Sequence, residues 1–61
     1  MRLNSKKVFL IMARKCMSKK DLARALGVSG ATCSRYFTHS LTAKTLGRIA
    51  KALNVDAEEL I

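Results

Sequence analysis

Acidic residues are scarce in this chain. Four Asp and Glu stand against twelve Lys and Arg, a formal net charge of +8 over 61 residues. None of the four acids falls within residues 1–20. Histidine occurs once, at His39, with no acidic neighbour in sequence to orient it. No nucleophile–base pair or working pair of carboxylates is on offer, so no enzyme is expected. Cysteine occurs twice, at Cys16 and Cys33, too far apart to give metal-ligand spacing with one histidine. Neither a metal nor another cofactor is expected, and no small-molecule ligand. No small-residue cleavage site closes the apolar run of residues 1–20, so a signal peptide and a disulfide are not expected. Both cysteines are expected as buried free thiols. Proline is absent and glycine stands only at 27, 30 and 47, while 49% of residues are hydrophobic, so the chain is not of a disordered composition. The longest apolar run, Val8 to Ala13, is far too short to cross a membrane. Strand-like alternation, repeats and low-complexity tracts are all missing.

What remains is basic, short and helical. A length of 61 residues holds one domain, residues 1–61, with a modest core. Seven cations and no acid in residues 1–20 point to a polyanion, which charge alone leaves open between nucleic acid and an anionic membrane surface. The 3.6 period and the capping residues predict five helices. Helix 1 runs from about Ser5 to Lys15, capped by Asn4 or Ser5. Its inner face is Val8, Ile11 and Met12, with the stem of Lys15 along it. Phe9 and Leu10 fall off that face, and either the last helix, helix 5, or a partner is expected to cover them. Helix 2 starts after Ser18 with a capping box closed by Asp21, buries Leu22, Ala23 and Leu26, and stops at Gly27. Helix 3 follows Ser29 and spans about residues 30–37, with Cys33, Tyr36 and Phe37 turned inward. After a loop at 38–41, helix 4 runs from Ala43 to Leu53 between Thr42 and Asn54. It buries Leu46, Ile49, Ala50 and Leu53. Asp56 caps a last short helix, Ala57 to Ile61.

Residues 18–38, SKKDLARALGVSGATCSRYFT, put two short helices on either side of Gly27-Val28-Ser29. Ala23 is small where the second helix must pass close. Leu22, Leu26, Val28, Cys33 and Tyr36 supply a shared core. This is the helix-turn-helix pattern. With Val8, Ile11 and Met17-Ser18 upstream and TLGRIAKALNVDAEELI downstream, the chain resembles the phage-repressor family of helix-turn-helix domains. That family is the Cro and lambda-repressor superfamily, XRE-like, and the resemblance covers about residues 5–61. It implies an all-α, five-helix fold and binding of operator sequences in double-stranded DNA. It also implies transcription regulation of repressor type, dimeric binding, no catalysis, a cytoplasmic location, and a bacterial, phage or mobile-element origin.

The family's contact positions carry over residue by residue. Where it often has Gln at the start of helix 2, this chain has Lys19. Lysine cannot accept a hydrogen bond, so the departure favours a phosphate contact over base orientation. On this reading affinity is expected to come mainly from phosphate contacts by Lys19 together with Lys20, Arg14 and Lys44. At the start of helix 3 the family often has a long polar base reader; here Ser29 is followed by Gly30 and Ala31, which read little beyond a thymine methyl. Thr32 and Ser34 can reach a base edge or phosphate. Arg35 is the one long outward side chain on helix 3, and its fork matches guanine O6 and N7. Thr38, His39 and Ser40 match the loop the family lays along the backbone. A groove about 12 Å wide favours a slim helix, which the small residues at 30, 31, 32 and 34 provide. A homodimer is expected through an edge of helices 1 and 5, with Phe9, Leu10, Leu60 and Ile61 exposed in the monomer. Two other readings stand beside this one. A protein-interaction or antitoxin-like module would keep the fold and work through Phe9, Leu10 and the last helix. A basic amphipathic membrane binder is suggested by helix 1 alone, but the other helices carry core faces that need burial in a fold.

Overall fold

The computed structural model describes residues 1–61 as four α-helices and a terminal 3-10 turn, with no strand. The helices are α1 (Ser5–Arg14), α2 (Lys19–Leu26), α3 (Gly30–Thr38) and α4 (Ala43–Leu53). The expected fifth α-helix is instead a single 3-10 turn, Ala57–Leu60. Four residues are too few for a ladder of i→i+4 bonds, and the tighter turn closes with the Glu59 amide on the Asp56 carbonyl at 3.0 Å.

Each α-helix begins on a side-chain cap. Asn4 Oδ1 accepts from the Lys7 amide at 3.2 Å, and Ser18 and Asp21 exchange both bonds of a capping box. α3 and α4 start alike. Ser29 Oγ accepts from the Thr32 amide and donates to Thr32 Oγ1, and Thr42 does the same with Thr45. Three helices also end alike. The amides of Met17, Val28 and Val55 reach back to the carbonyls of Met12, Ala23 and Ala50 across a left-handed residue. That residue is Gly27 after α2 and Asn54 after α4, as expected. After α1 it is Cys16, with φ +54°, which ends the helix one residue early and leaves Lys15 outside it, exposed. Cys16 is therefore exposed, not buried as expected; only Cys33 is a buried thiol.

One core of fourteen buried residues joins all the elements. Val8, Ile49, Leu53 and Leu60 are fully enclosed, each contributing about 1.5–3 kcal/mol by burial. Leu60 was expected on an exposed dimer edge; at 0% exposure it seals the core beneath α4 instead. Leu3 and Leu41, outside any helix, join the same core. They do so because residues 1–4 form a strap. The Leu41 amide donates to the Met1 carbonyl, the Arg2 guanidinium to the Thr38 carbonyl, and the Asn4 amide to the Leu60 carbonyl at 2.7 Å. Across the molecule, Arg48 donates to the Leu26 carbonyl at 3.3 Å and pins α4 to the end of α2.

Candidate nucleic-acid interface

α2 and α3 pack as a helix-turn-helix around Leu22, Ala23, Leu26 and Cys33, with Val28 and Tyr36 half-buried against them. The turn depends on Gly27, whose φ of +71° an L side chain adopts only with strain. Only Cys33 of α3 is fully buried. Its thiol points at the Lys19 carbonyl, 3.9 Å away, and burial pushes its pKa up, partly offset by the Lys19 charge.

The outward side of α3 is correspondingly free. Ser29, Gly30, Ala31, Ser34, Arg35 and Thr38 are exposed, and a helical turn brings 30, 31, 34, 35 and 38 onto adjoining positions. Arg35 is exposed and held by no side-chain hydrogen bond, so its fork is available. Thr32 departs from its neighbours: it is half-buried, and its hydroxyl accepts from Ser29. Arg35 and Thr32 border a cleft of about 240 Å³ that runs past His39 and Ser40 to Thr42 and Thr45 at the start of α4. The loop after α3 is ordered by its own bonds. Thr38 Oγ1 donates to the Arg35 carbonyl at 3.3 Å and lies 2.8 Å from His39 Nδ1. Ser40 is engaged by the strap, accepting from the Met1 amino group at 3.0 Å and donating to the Met1 carbonyl at 3.3 Å.

The cations named as phosphate contacts differ in how they are held, and Arg14 lies apart from the rest, in a cleft with Lys7, Leu10, Ile11 and Glu59. Lys20, Lys44 and Arg14 are exposed. Lys19 is not a free arm: its ammonium lies 5.1 Å from the centroid of Phe37 and 5.5 Å from that of Phe9. The two rings stack at 5.2 Å with 15° between their planes. Phe9 is thus covered in part by α3, not by the last helix or a partner as expected, a contact that helical periodicity within α1 could not reveal. No acid stands in the first turn of α3 or α4, so the positive ends of both helix dipoles are left without a protein counter-charge. Leu10 and Ile61 remain exposed, with Lys7 donating to the Ile61 carbonyl at 3.3 Å. No three His, Cys, Asp or Glu side chains gather where they could hold a metal ion, and no helix is long and apolar enough to cross a membrane.

A small all-α core and a glycine-turned helix pair whose second helix keeps an exposed outer side, in a chain of net charge +8, define a helix-turn-helix DNA-binding module. The model of the Cro/C1-type HTH DNA-binding domain matches residues 10–61, and the chain belongs to that family. No curated protein and no solved structure matches it.

Proposed function

We propose that the chain is a sequence-specific transcriptional regulator of repressor type that reads double-stranded DNA with α3 in the major groove. The observation that carries this reading is the asymmetry of α3: a nine-residue helix with one buried residue and a slim outer side that ends in Arg35. Gly30, Ala31 and Ser34 let the helix sit deep. Arg35 bridges guanine O6 and N7, worth about 1–3 kcal/mol of discrimination. Ser29, Thr32, Thr38, His39 and Ser40 make short polar contacts at the helix ends. Lys19, Lys20, Lys44 and Arg14 bind phosphates and supply most of the affinity, with a steep salt dependence. No catalysis is involved, and the working compartment is the cytoplasm.

A two-fold operator calls for a two-fold protein. The dimer edge consists of Leu10 and Ile61, 56% and 48% exposed, together with the free side of Phe9. Fluorescence anisotropy on the duplex upstream of the protein's own gene, against a scrambled duplex with excess competitor, tests the reading. Competitor-resistant binding to the native duplex alone is expected. Equal, salt-sensitive binding to both would remove the sequence-specific part. A protein whose regulatory activity survives Arg35→Ala would point instead to a protein-interaction module.

A further inference from the structure

Lys19 opens α2, Phe9 projects from α1, and Phe37 lies in the last turn of α3, so three helices meet at one ammonium group. The placement is unusual for a lysine. An exposed lysine ordinarily samples many rotamers, and ordering it on binding a phosphate costs side-chain entropy. Here the ammonium lies within cation–π range of both stacked rings, whose electron-rich faces attract it. Phe37 is half-buried against the core, which fixes the platform, while Phe9 is 42% exposed and adds little to that core. Phe37 also stands three residues from Ser34 and two from Arg35, so the platform borders the outward side of α3.

We infer that Phe9 and Phe37 are positioning residues that hold the Lys19 ammonium at the rim of α3, ready for a backbone phosphate. A cation against aromatic faces keeps its remaining N–H donors pointing away from the rings, toward solvent or an oxyanion. The lysine is therefore ordered before DNA arrives. Phe9 lies outside the helix-turn-helix, so α1 contributes to DNA affinity without touching DNA. The inference rests on the DNA-binding reading, in which Lys19 meets a phosphate.

The test is a double-mutant cycle on one duplex, read by anisotropy between 50 and 200 mM salt as a standard titration range. Lys19→Gln is expected to lower the salt slope by about 1. Phe9→Leu, which keeps an apolar side chain, is expected to weaken binding about two- to fivefold, the ratio equivalent to an exposed cation–π contact. In the Lys19→Gln background the same change should do nothing, and Phe9→Tyr, which keeps the ring, should restore wild-type binding. Additive losses in the double variant would overturn the inference while leaving DNA binding intact. A wild-type chain that binds no duplex at all would instead overturn the DNA reading, and this inference with it. NMR of the free protein tests the platform by itself. The Lys19 ε-methylene protons should be shifted upfield by ring current and should relax toward random-coil values in Phe9→Leu. Unshifted protons in the wild type would overturn the platform.

Discussion

α3 and α4 follow each other in the chain, have nine and eleven residues, and open on the same hydroxyl pair, Ser29 with Thr32 and Thr42 with Thr45. There the likeness stops. α4 buries Leu46, Ile49, Ala50 and Leu53 and closes on a left-handed Asn54. α3 buries Cys33 alone and runs out into extended backbone at His39. One helix contributes a full apolar stripe to the core; the other contributes Cys33, with Tyr36 and Phe37 half-buried against it, and leaves Gly30, Ala31, Ser34, Arg35 and Thr38 exposed. In a domain of this size, whose whole stability is roughly 3–9 kcal/mol at ~0.05–0.15 kcal/mol per residue, an unused helix face is a substantial sacrifice. The difference supports the proposal that α3 carries the DNA contacts.

The largest effect that could break this contrast is in α4. Leu53→Ala removes a side chain of 0% exposure and should cost about 2–5 kcal/mol, much of the total. Ser34→Ala, on the open side of α3, should stay within about ±0.5 kcal/mol. Urea unfolding of both variants checks the pair. Comparable losses would mean that α3 is held by its outer face, and the energetic argument would fail.

Next in size is Arg35→Ala. Its expected cost is about 1–3 kcal/mol of discrimination between the native duplex and one altered at the contacted guanine, with an unchanged melting temperature. Competition anisotropy and a thermal melt together separate reading from folding. A uniform loss on all duplexes would reassign Arg35 to a phosphate.

Helix extents and inner faces were legible from the sequence. Caps and 3.6-residue spacing are local, and α4 was placed at 43–53 to the residue. What stayed hidden is long-range. The strap pairs residues 1–4 with residues 38–41 and 60, and Phe9 meets Phe37 across 28 positions. No spacing rule reports such contacts. Leu60 was misplaced for the same reason: in a turn this short, periodicity cannot say which side meets α4, and burial against α4 and α1 decides it. Cys16 misled because a left-handed helix end is read from glycine or asparagine, and this one carries neither. The exposure of the candidate contact residues was legible, because the outer residues of a helix whose inner face is known are exposed by subtraction. Lys19 is the exception, since its ammonium answers to two other helices.

Glycine gives the sharpest test of the contrast. A Cβ added at Gly30 or Gly47 meets nothing within 4 Å, and neither residue has a positive φ. Either change to alanine should therefore stabilise the fold by about 0.4–1 kcal/mol, largely by restricting the unfolded chain. Gly47→Ala, in α4, should leave DNA binding untouched. Gly30→Ala, at the tip of α3, should raise the melting temperature and weaken binding together, because the added methyl stands between the helix and the groove. Equal binding by the two variants would show that the tip does not sit deep.

The smallest expected effect concerns how the helices begin. α3 and α4 rely on neutral hydroxyl pairs, whereas α2 relies on a charged one. The Ser18 amide donates to Asp21 Oδ2 at 2.9 Å, and this bond, with help from the Ser18 hydroxyl and Arg24, holds the Asp21 carboxyl below its ordinary range. A carboxylate whose folded pKa is depressed adds stability above its unfolded pKa, near 4, and loses it as pH falls through the lower folded value. Acid should therefore loosen the start of α2 before the starts of α3 and α4. Amide exchange followed from pH 5 downward should show the amides of Ser18, Asp21 and Leu22, which are bonded in this cap, losing protection first. In Asp21→Asn that early loss should disappear, since a neutral amide keeps its weaker cap at every pH. If the first turns of all three helices loosen together in the wild type, the charged cap contributes nothing separate, and the three helix starts are equivalent in spite of their different chemistry.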